Sequence, residues 1–181
     1  MAIFTIKSPV TQFILKALGI FILWYVVYEL WLLPDGRLDA WVAHNIIGVS
    51  AGIVRAMDYT VFTYDRVVGI YYNAGIEIVD GCTGISAIGL FLGFILAYPG
   101  EWRSRISFSV AGIGVIYFVN VLRIVTLVIT QEEWIEFFDI THDYSTTTIF
   151  YIVIFVMWML WVKFSDGDFS VPKEDTDAAL A

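Results

Sequence analysis

Apolar positions gather into four long runs along the chain, about Val10 to Leu33, Gly84 to Tyr98, Ile106 to Ile129 and Thr146 to Phe164. About 20 such residues cover the ~30 Å hydrocarbon core of a bilayer, so the runs predict spanning helices. The first is too long for a signal-peptide core and ends in Leu32-Leu33-Pro34-Asp35 without a small-residue cleavage site, which predicts a retained signal anchor. Between the first two runs the period changes. Leu38, Trp41, Val42, Asn45, Ile46, Val49, Ile53 and Met57 recur every three or four residues and predict an amphipathic helix on the membrane or on the bundle. Beyond it, Tyr59 to Tyr64, Arg66 to Tyr72 and Ile76 to Val79 are β-branched and aromatic, with Asn73-Ala74-Gly75 as a turn. The pattern predicts a mainly α, polytopic membrane protein: about four transmembrane helices, an outer amphipathic helix, and a small β hairpin or three-stranded sheet before the second span. Residues 1–164 read as a single integral membrane domain with an extracytoplasmic element over 34–83, and 165–181 as an acidic, disordered cytoplasmic tail.

Composition agrees with this pattern. Of 181 residues, 59% are hydrophobic and 15% charged, and the mean hydropathy is +0.78. A soluble domain needs about a quarter charged residues to cover its surface, so a soluble protein is excluded. The formal charge of −8, with ten scattered Lys and Arg, excludes nucleic acid as a partner. The placement of the basic residues says more than the total. Lys7 and Lys16 flank the first run, Arg103 and Arg105 lie between the second and third, and Lys163 ends the fourth. The loop from Gln131 to Ser145 holds Glu132, Glu133, Glu136, Asp139 and Asp143 and no Lys or Arg, so the basic ends are expected in the cytoplasm and this loop outside. Both termini are then cytoplasmic.

Candidate chemistry emerges from depth along the helices. Cys82 lies 17 residues from Pro99, Arg123 lies 18 from Arg105, and His142 lies 21 from Lys163. These separations correspond to roughly 26, 27 and 32 Å of helix, close to the ~30 Å core thickness. A thiol, a guanidinium and an imidazole are thus expected at one level near the outer interface. Cys82 is the only cysteine, so it has neither an internal disulfide nor a dithiol partner. A lone cysteine is ordinarily a small buried hydrophobe. The setting Asp80-Gly81-Cys82-Thr83-Gly84 points elsewhere, because Asp80 or Thr83 can cap the second helix and place the thiol at its positive end. Arg123 could snorkel outward, yet an ionisable group within an apolar run marks a site by default, and Asn120 one turn away shares its face. His142 is placed by the start of the last run. His44, on the amphipathic helix, reads as a surface or packing residue.

A Cys, a His and an Arg at one interface suit acyl transfer: a nucleophile, a proton shuttle and an oxyanion stabiliser. Cys82-Thr83-Gly84-Ile85 resembles the Cys-Ser/Thr-Gly-hydrophobic motif of exosortases and archaeosortases, Asn120-Val121-Leu122-Arg123-Ile124 resembles their Asn-x-x-Arg-Ile motif, and His142-Asp143 resembles their third site. The resemblance covers about Ile76 to Phe164. It implies a membrane-embedded cysteine endopeptidase or transpeptidase that cleaves C-terminal sorting signals of exported proteins (a motif, a hydrophobic span and a basic end) through a Cys thioester. It also implies a multi-pass protein of the bacterial inner (cytoplasmic) membrane, with its site facing the periplasm or cell exterior. By the resemblance Cys82 is the nucleophile, Arg123 the transition-state stabiliser and His142 the general base and acid, with Asn120, Asp80, Thr83 and Gly84 in support. The acceptor implied is water, an amine or a lipid, and no cofactor or metal is expected. This chain has four apparent spans where many relatives have about eight, and Thr83 stands where Ser is commoner.

Other classes compete with this reading. Cys82, His142, Asp80 and Asp143 could form the mouth of a copper, zinc or other ion transporter, although few polar residues continue through the bilayer. A non-catalytic assembly protein needs no such convergence of polar groups. The acidic tail (Asp166, Asp168, Glu174, Asp175 and Asp177) could attract a basic sorting-signal end or simply remain solvated.

Overall fold

The structure, a computed structural model, describes residues 8–138 and 148–165. Helix α1 runs Pro9–Asp35. Proline is in its first turn, where the missing N–H is no loss, and the stretch Tyr25–Leu32 is wound as a π-helix. Gly36, at φ 68°, ends it and turns the chain into α2, Arg37–Ala56. Three antiparallel strands follow, β1 Val61–Tyr64, β2 Val67–Ile70 and β3 Ile76–Glu77, in sheet order β1-β2-β3. Val61 pairs with Ile70, Tyr64 with Val67, and Val68 with Ile76. Helix α3 spans Ile85–Ala97, α4 Trp102–Glu133, and α5 Phe150–Phe164, with a short 3-10 turn at Ile135–Phe137.

The predicted helices and sheet are therefore present, with three differences of detail. The first concerns length. Helices α1 and α4 are long and apolar enough to cross a membrane, whereas α3 has 13 residues and α5 has 15. At 1.5 Å per residue those two cover roughly 20 and 22 Å within the described residues, so α1 and α4 are the two candidate spans by length. The second concerns the amphipathic helix. The face α2 buries is Asp39, Ala43, Ile46, Ile47, Ser50, Ala51 and Val54, while Trp41, Val49 and Met57 of the predicted stripe are exposed. Large apolar side chains alone do not select the packed face: Ile46, Ile47 and Val54 share it with Ala43, Ser50 and Ala51, and the Ser50 hydroxyl donates to the Val121 carbonyl of α4 at 3.4 Å.

The third difference concerns the acidic loop, whose first residues are helical. Helix α4 has 32 residues, roughly 48 Å, and its two halves have different neighbours. Its N-terminal half joins a core of Phe91, Ile95, Ile116, Ile154, Met157 and Trp161 built from α3, α4 and α5. Phe91 and Met157 fit over Gly112. Its C-terminal half, Val121 to Val128, joins a second core with α2 and the sheet. Glu132 and Glu133 belong to the end of this rod. Glu133 accepts from the Tyr59 hydroxyl at 2.8 Å, Glu132 accepts from Asn73, and Gln131 reaches the Gly75 carbonyl at 3.5 Å. His142, Asp139, Asp143, the start of the fourth run and the acidic tail lie outside the described residues.

At the turn between α3 and α4, Arg105 is half-buried and donates to the carbonyls of Tyr98 and Gly100 at 3.0 and 3.2 Å. It stabilises the C-terminal end of α3 as well as adding a positive charge.

Candidate active site at the head of the bundle

The loop that carries Cys82 joins the sheet to α3. Gly81 (φ 81°) and Gly84 (φ 86°) both take left-handed backbone and bracket Cys82 and Thr83 in a sharp turn. Gly84 has a second constraint, since a Cβ there would lie 3.4 Å from Asn120 Nδ2 and 3.8 Å from the Phe150 ring. Neither Asp80 nor Thr83 caps α3, whose N-cap is Gly84 without a side-chain bond. Asp80 instead pairs with Arg66, and this hydrogen bond raises the Arg66 guanidinium above its ordinary value. Thr83, fully packed, donates to Asp39 Oδ1 at 2.7 Å.

The α4 residues meet this loop. Asn120 is fully buried, and its Nδ2 donates to the Cys82 carbonyl at 3.3 Å. Its Oδ1, equally buried, has no partner among the described residues. Arg123, one turn on, is 7% exposed. Snorkelling into water is thereby excluded for it, in favour of a place inside the protein. Cys82 is half-buried. Cys82, Gly84 and Arg123 all line one cavity of about 740 Å³, within the range of small-molecule and peptide sites. Of the predicted residues the structure brings Cys82, Thr83, Gly84, Asn120 and Arg123 together, turns Asp80 outward to Arg66, and leaves His142 outside the described residues.

The cavity runs down between α1, α3 and α5. One wall is the α1 face Ile20, Trp24, Tyr25 and Glu29, and the facing walls include Leu90 and Phe94 of α3 and Ile154 and Trp158 of α5. Phe94 and Trp158 stack at 4.7 Å between centroids. Two carboxylates that pattern reading passed over belong to this region. Glu29 lines the cavity within the apolar run of α1, and the rule that singles out Arg123 singles it out equally. Asp39 has no exposed surface and collects hydrogen bonds from Tyr28, Gly81 and Thr83. Its sequence neighbourhood holds no signal, because an acidic residue in a first helical turn is ordinary. His44 is exposed, with Nδ1 at 2.6 Å from the Ala40 carbonyl and Nε2 at 3.4 Å from Asp65, as a surface residue would be. Among the described residues no three His, Cys, Asp or Glu side chains gather to hold a metal ion.

Comparison with known proteins adds to this geometry. A family model described as transmembrane exosortase matches residues 1–159. A probable archaeosortase D of Methanocaldococcus jannaschii is 36% identical over 88 residues, which cover 48% of this chain and 55% of that protein. The match thus spans about half the length of that curated relative. No solved structure matches the chain. A match over residues 1–159 of 181 takes in the Cys82 loop, the Asn120-to-Arg123 turn of α4 and nearly all the helices described above, and the chain belongs to the transmembrane exosortase family.

Proposed function

We propose that this protein is a membrane cysteine endopeptidase or transpeptidase that processes C-terminal sorting signals of exported proteins. The observation that carries the reading is the sharing of one cavity by Cys82 and Arg123, with Asn120 of the same α4 turn bonded to the Cys82 carbonyl. A buried cation lining the same cavity as a nucleophile suits acyl transfer, which needs a preorganised charge where an oxyanion develops. Family membership supports a sorting-signal substrate, and the residue roles are carried over from the resemblance of the Cys82 and Arg123 motifs. In this reading all four apolar runs cross the membrane, both termini are cytoplasmic, and the Cys82 end faces outward.

The substrate span docks in the groove between α1, α3 and α5, whose walls are mostly apolar, and its extended motif lies at the head of the groove. The Cys82 thiolate attacks the scissile carbonyl carbon, and Arg123 holds the resulting oxyanion. As the C–N bond breaks, His142 gives a proton to the leaving amine, and the acyl group remains on Cys82 as a thioester. Water or an acceptor amine then attacks the thioester, His142 takes its proton, and the thiolate is regenerated. Because α1 supplies a wall, the docking site lies between the first span and the later ones.

The test is co-expression with a candidate substrate carrying a C-terminal motif, a hydrophobic span and a basic end. Cys82→Ala is expected to leave the substrate unprocessed and to yield no covalent adduct, whereas the wild type yields a thioester mapped to Cys82. Continued processing by Cys82→Ala would sink the proposal.

A further inference from the structure

Among the described residues Asp39 is the only buried acidic side chain, at 0% exposure. A carboxylate taken out of water is costly unless donors surround it, and here three segments supply them. The Tyr28 hydroxyl of α1 lies 3.1 Å from each carboxylate oxygen. The Gly81 N–H donates to Oδ1 at 3.1 Å, and the Thr83 hydroxyl donates to the same oxygen at 2.7 Å. Gly81 and Thr83 are the two chain neighbours of Cys82. One oxygen therefore grips the loop on both sides of the thiol residue. The remaining backbone contacts of Cys82 are its N–H to the Val79 carbonyl at 3.1 Å and its C=O from Asn120 at 3.3 Å. Asp39 itself does not line the cavity.

We infer that Asp39 is a positioning residue for Cys82: through Gly81 and Thr83 it sets how the thiol is presented to the cavity, and through Tyr28 it ties that presentation to α1, the facing wall. The inference rests on the reading of Cys82 as nucleophile. A carboxylate suits the task because it only accepts, and all three groups facing it can donate. The π-helical winding of Tyr25–Leu32 places Tyr28 on this inner face and Tyr25 and Glu29 on the cavity wall. A shift of α1 on substrate docking is thereby transmitted to the Cys82 loop by two hydrogen bonds in series.

Cys82 is the sole cysteine of the chain, so its alkylation can be read without other signals. The experiment measures the rate of iodoacetamide alkylation against pH on the purified full chain in detergent, and kcat and KM for processing of a sorting-signal substrate. Asp39→Ala is expected to change the alkylation rate by about tenfold and move the midpoint of its pH profile. It is also expected to lower kcat by about 100-fold, the loss that goes with a misplacement near 1 Å, with KM little changed. Asp39→Asn keeps an acceptor oxygen for Gly81 and Thr83 and is expected to restore most of both. Ser50→Ala, on the same helix but bonded to Val121, is expected to lower Tm and leave alkylation unchanged. An Asp39→Ala variant that alkylates with the wild-type rate and midpoint overturns the inference, as does a loss that Ser50→Ala reproduces or Asp39→Asn does not relieve. Should Asp39→Ala fail to fold, Thr83→Val removes one donor and leaves Asp39 in place, and its unchanged alkylation overturns the inference equally. The alkylation arm judges Asp39, whereas processing by Cys82→Ala judges the enzyme reading, so the two can fail separately.

Discussion

Cys82 is presented by backbone constraints on either side of it, so the residues that hold it matter as much as the thiol. Asn120 is the clearest of these, a buried amide whose Nδ2 meets the Cys82 carbonyl. Asn120→Ala removes that donor, and the expected cost in stability is about 1 kcal/mol, the net worth of one hydrogen bond. Processing is expected to fall further than this, by at least about tenfold, because the variant loosens the loop carrying the nucleophile. Thermal unfolding and a processing assay on the same preparation separate the two effects, and equal losses in both would argue against a role in the site. Asn120 and Arg123 were legible in the sequence because one helical turn puts them on one face, whatever the rest of the chain does. Asp39 was not, since its meaning comes from Tyr28, Gly81 and Thr83, and these lie 11, 42 and 44 residues away.

At the scale of elements, the placement of α1 depends on a close approach. Only Thr11 and Tyr28 of α1 are buried, so few contacts hold it, and Trp24 is central among them. The Trp24 indole stacks on Tyr28 at 5.2 Å and covers Gly89 of α3, where a Cβ would overlap it. Gly89→Ala is expected to force α1 outward at a cost of about 1–3 kcal/mol, the usual penalty of overpacking, seen as a lower Tm in detergent. Trp24→Phe on that background is expected to recover part of it. Outside the bundle, the Glu133 hydrogen bond raises the Tyr59 hydroxyl above the ordinary tyrosine value. A raised value means the fold favours the protonated form, so this contact contributes below the ordinary value of about 10 and is lost as pH rises through the raised one. The Tm difference between wild type and Tyr59→Phe is therefore expected to be present near about pH 8 and to shrink as pH rises above the ordinary tyrosine value of about 10. The small sheet was legible from its β-branched and aromatic runs and the turn residues between them, whereas the buried face of α2 was not. Its small residues Ala43, Ser50 and Ala51 become a packing surface only opposite α4.

At the scale of the whole molecule, α4 is the connecting rod, with its N-terminal half in the helical core and its C-terminal half in the core shared with α2 and the sheet. Arg123 and Asn120 sit near the junction of the two, and the Cys82 loop meets them there. The proposed orientation gives a direct test through the sole thiol. A membrane-impermeant maleimide is expected to label Cys82 from outside intact cells and not from the cytoplasmic face of inverted vesicles, and the reverse result would invert the topology. By itself the sequence determined the membrane class, the order of helices and strands, and the motifs around Cys82 and Arg123, because hydropathy, period and spacing are local properties that a single segment carries. Tertiary structure decided which helix supplies the cavity's far wall, which face of α2 is buried, and that Asp39 rather than Asp80 serves the Cys82 loop. Those outcomes depend on which side chains meet across segments distant in the chain, and a buried carboxylate is tolerable only where such donors converge.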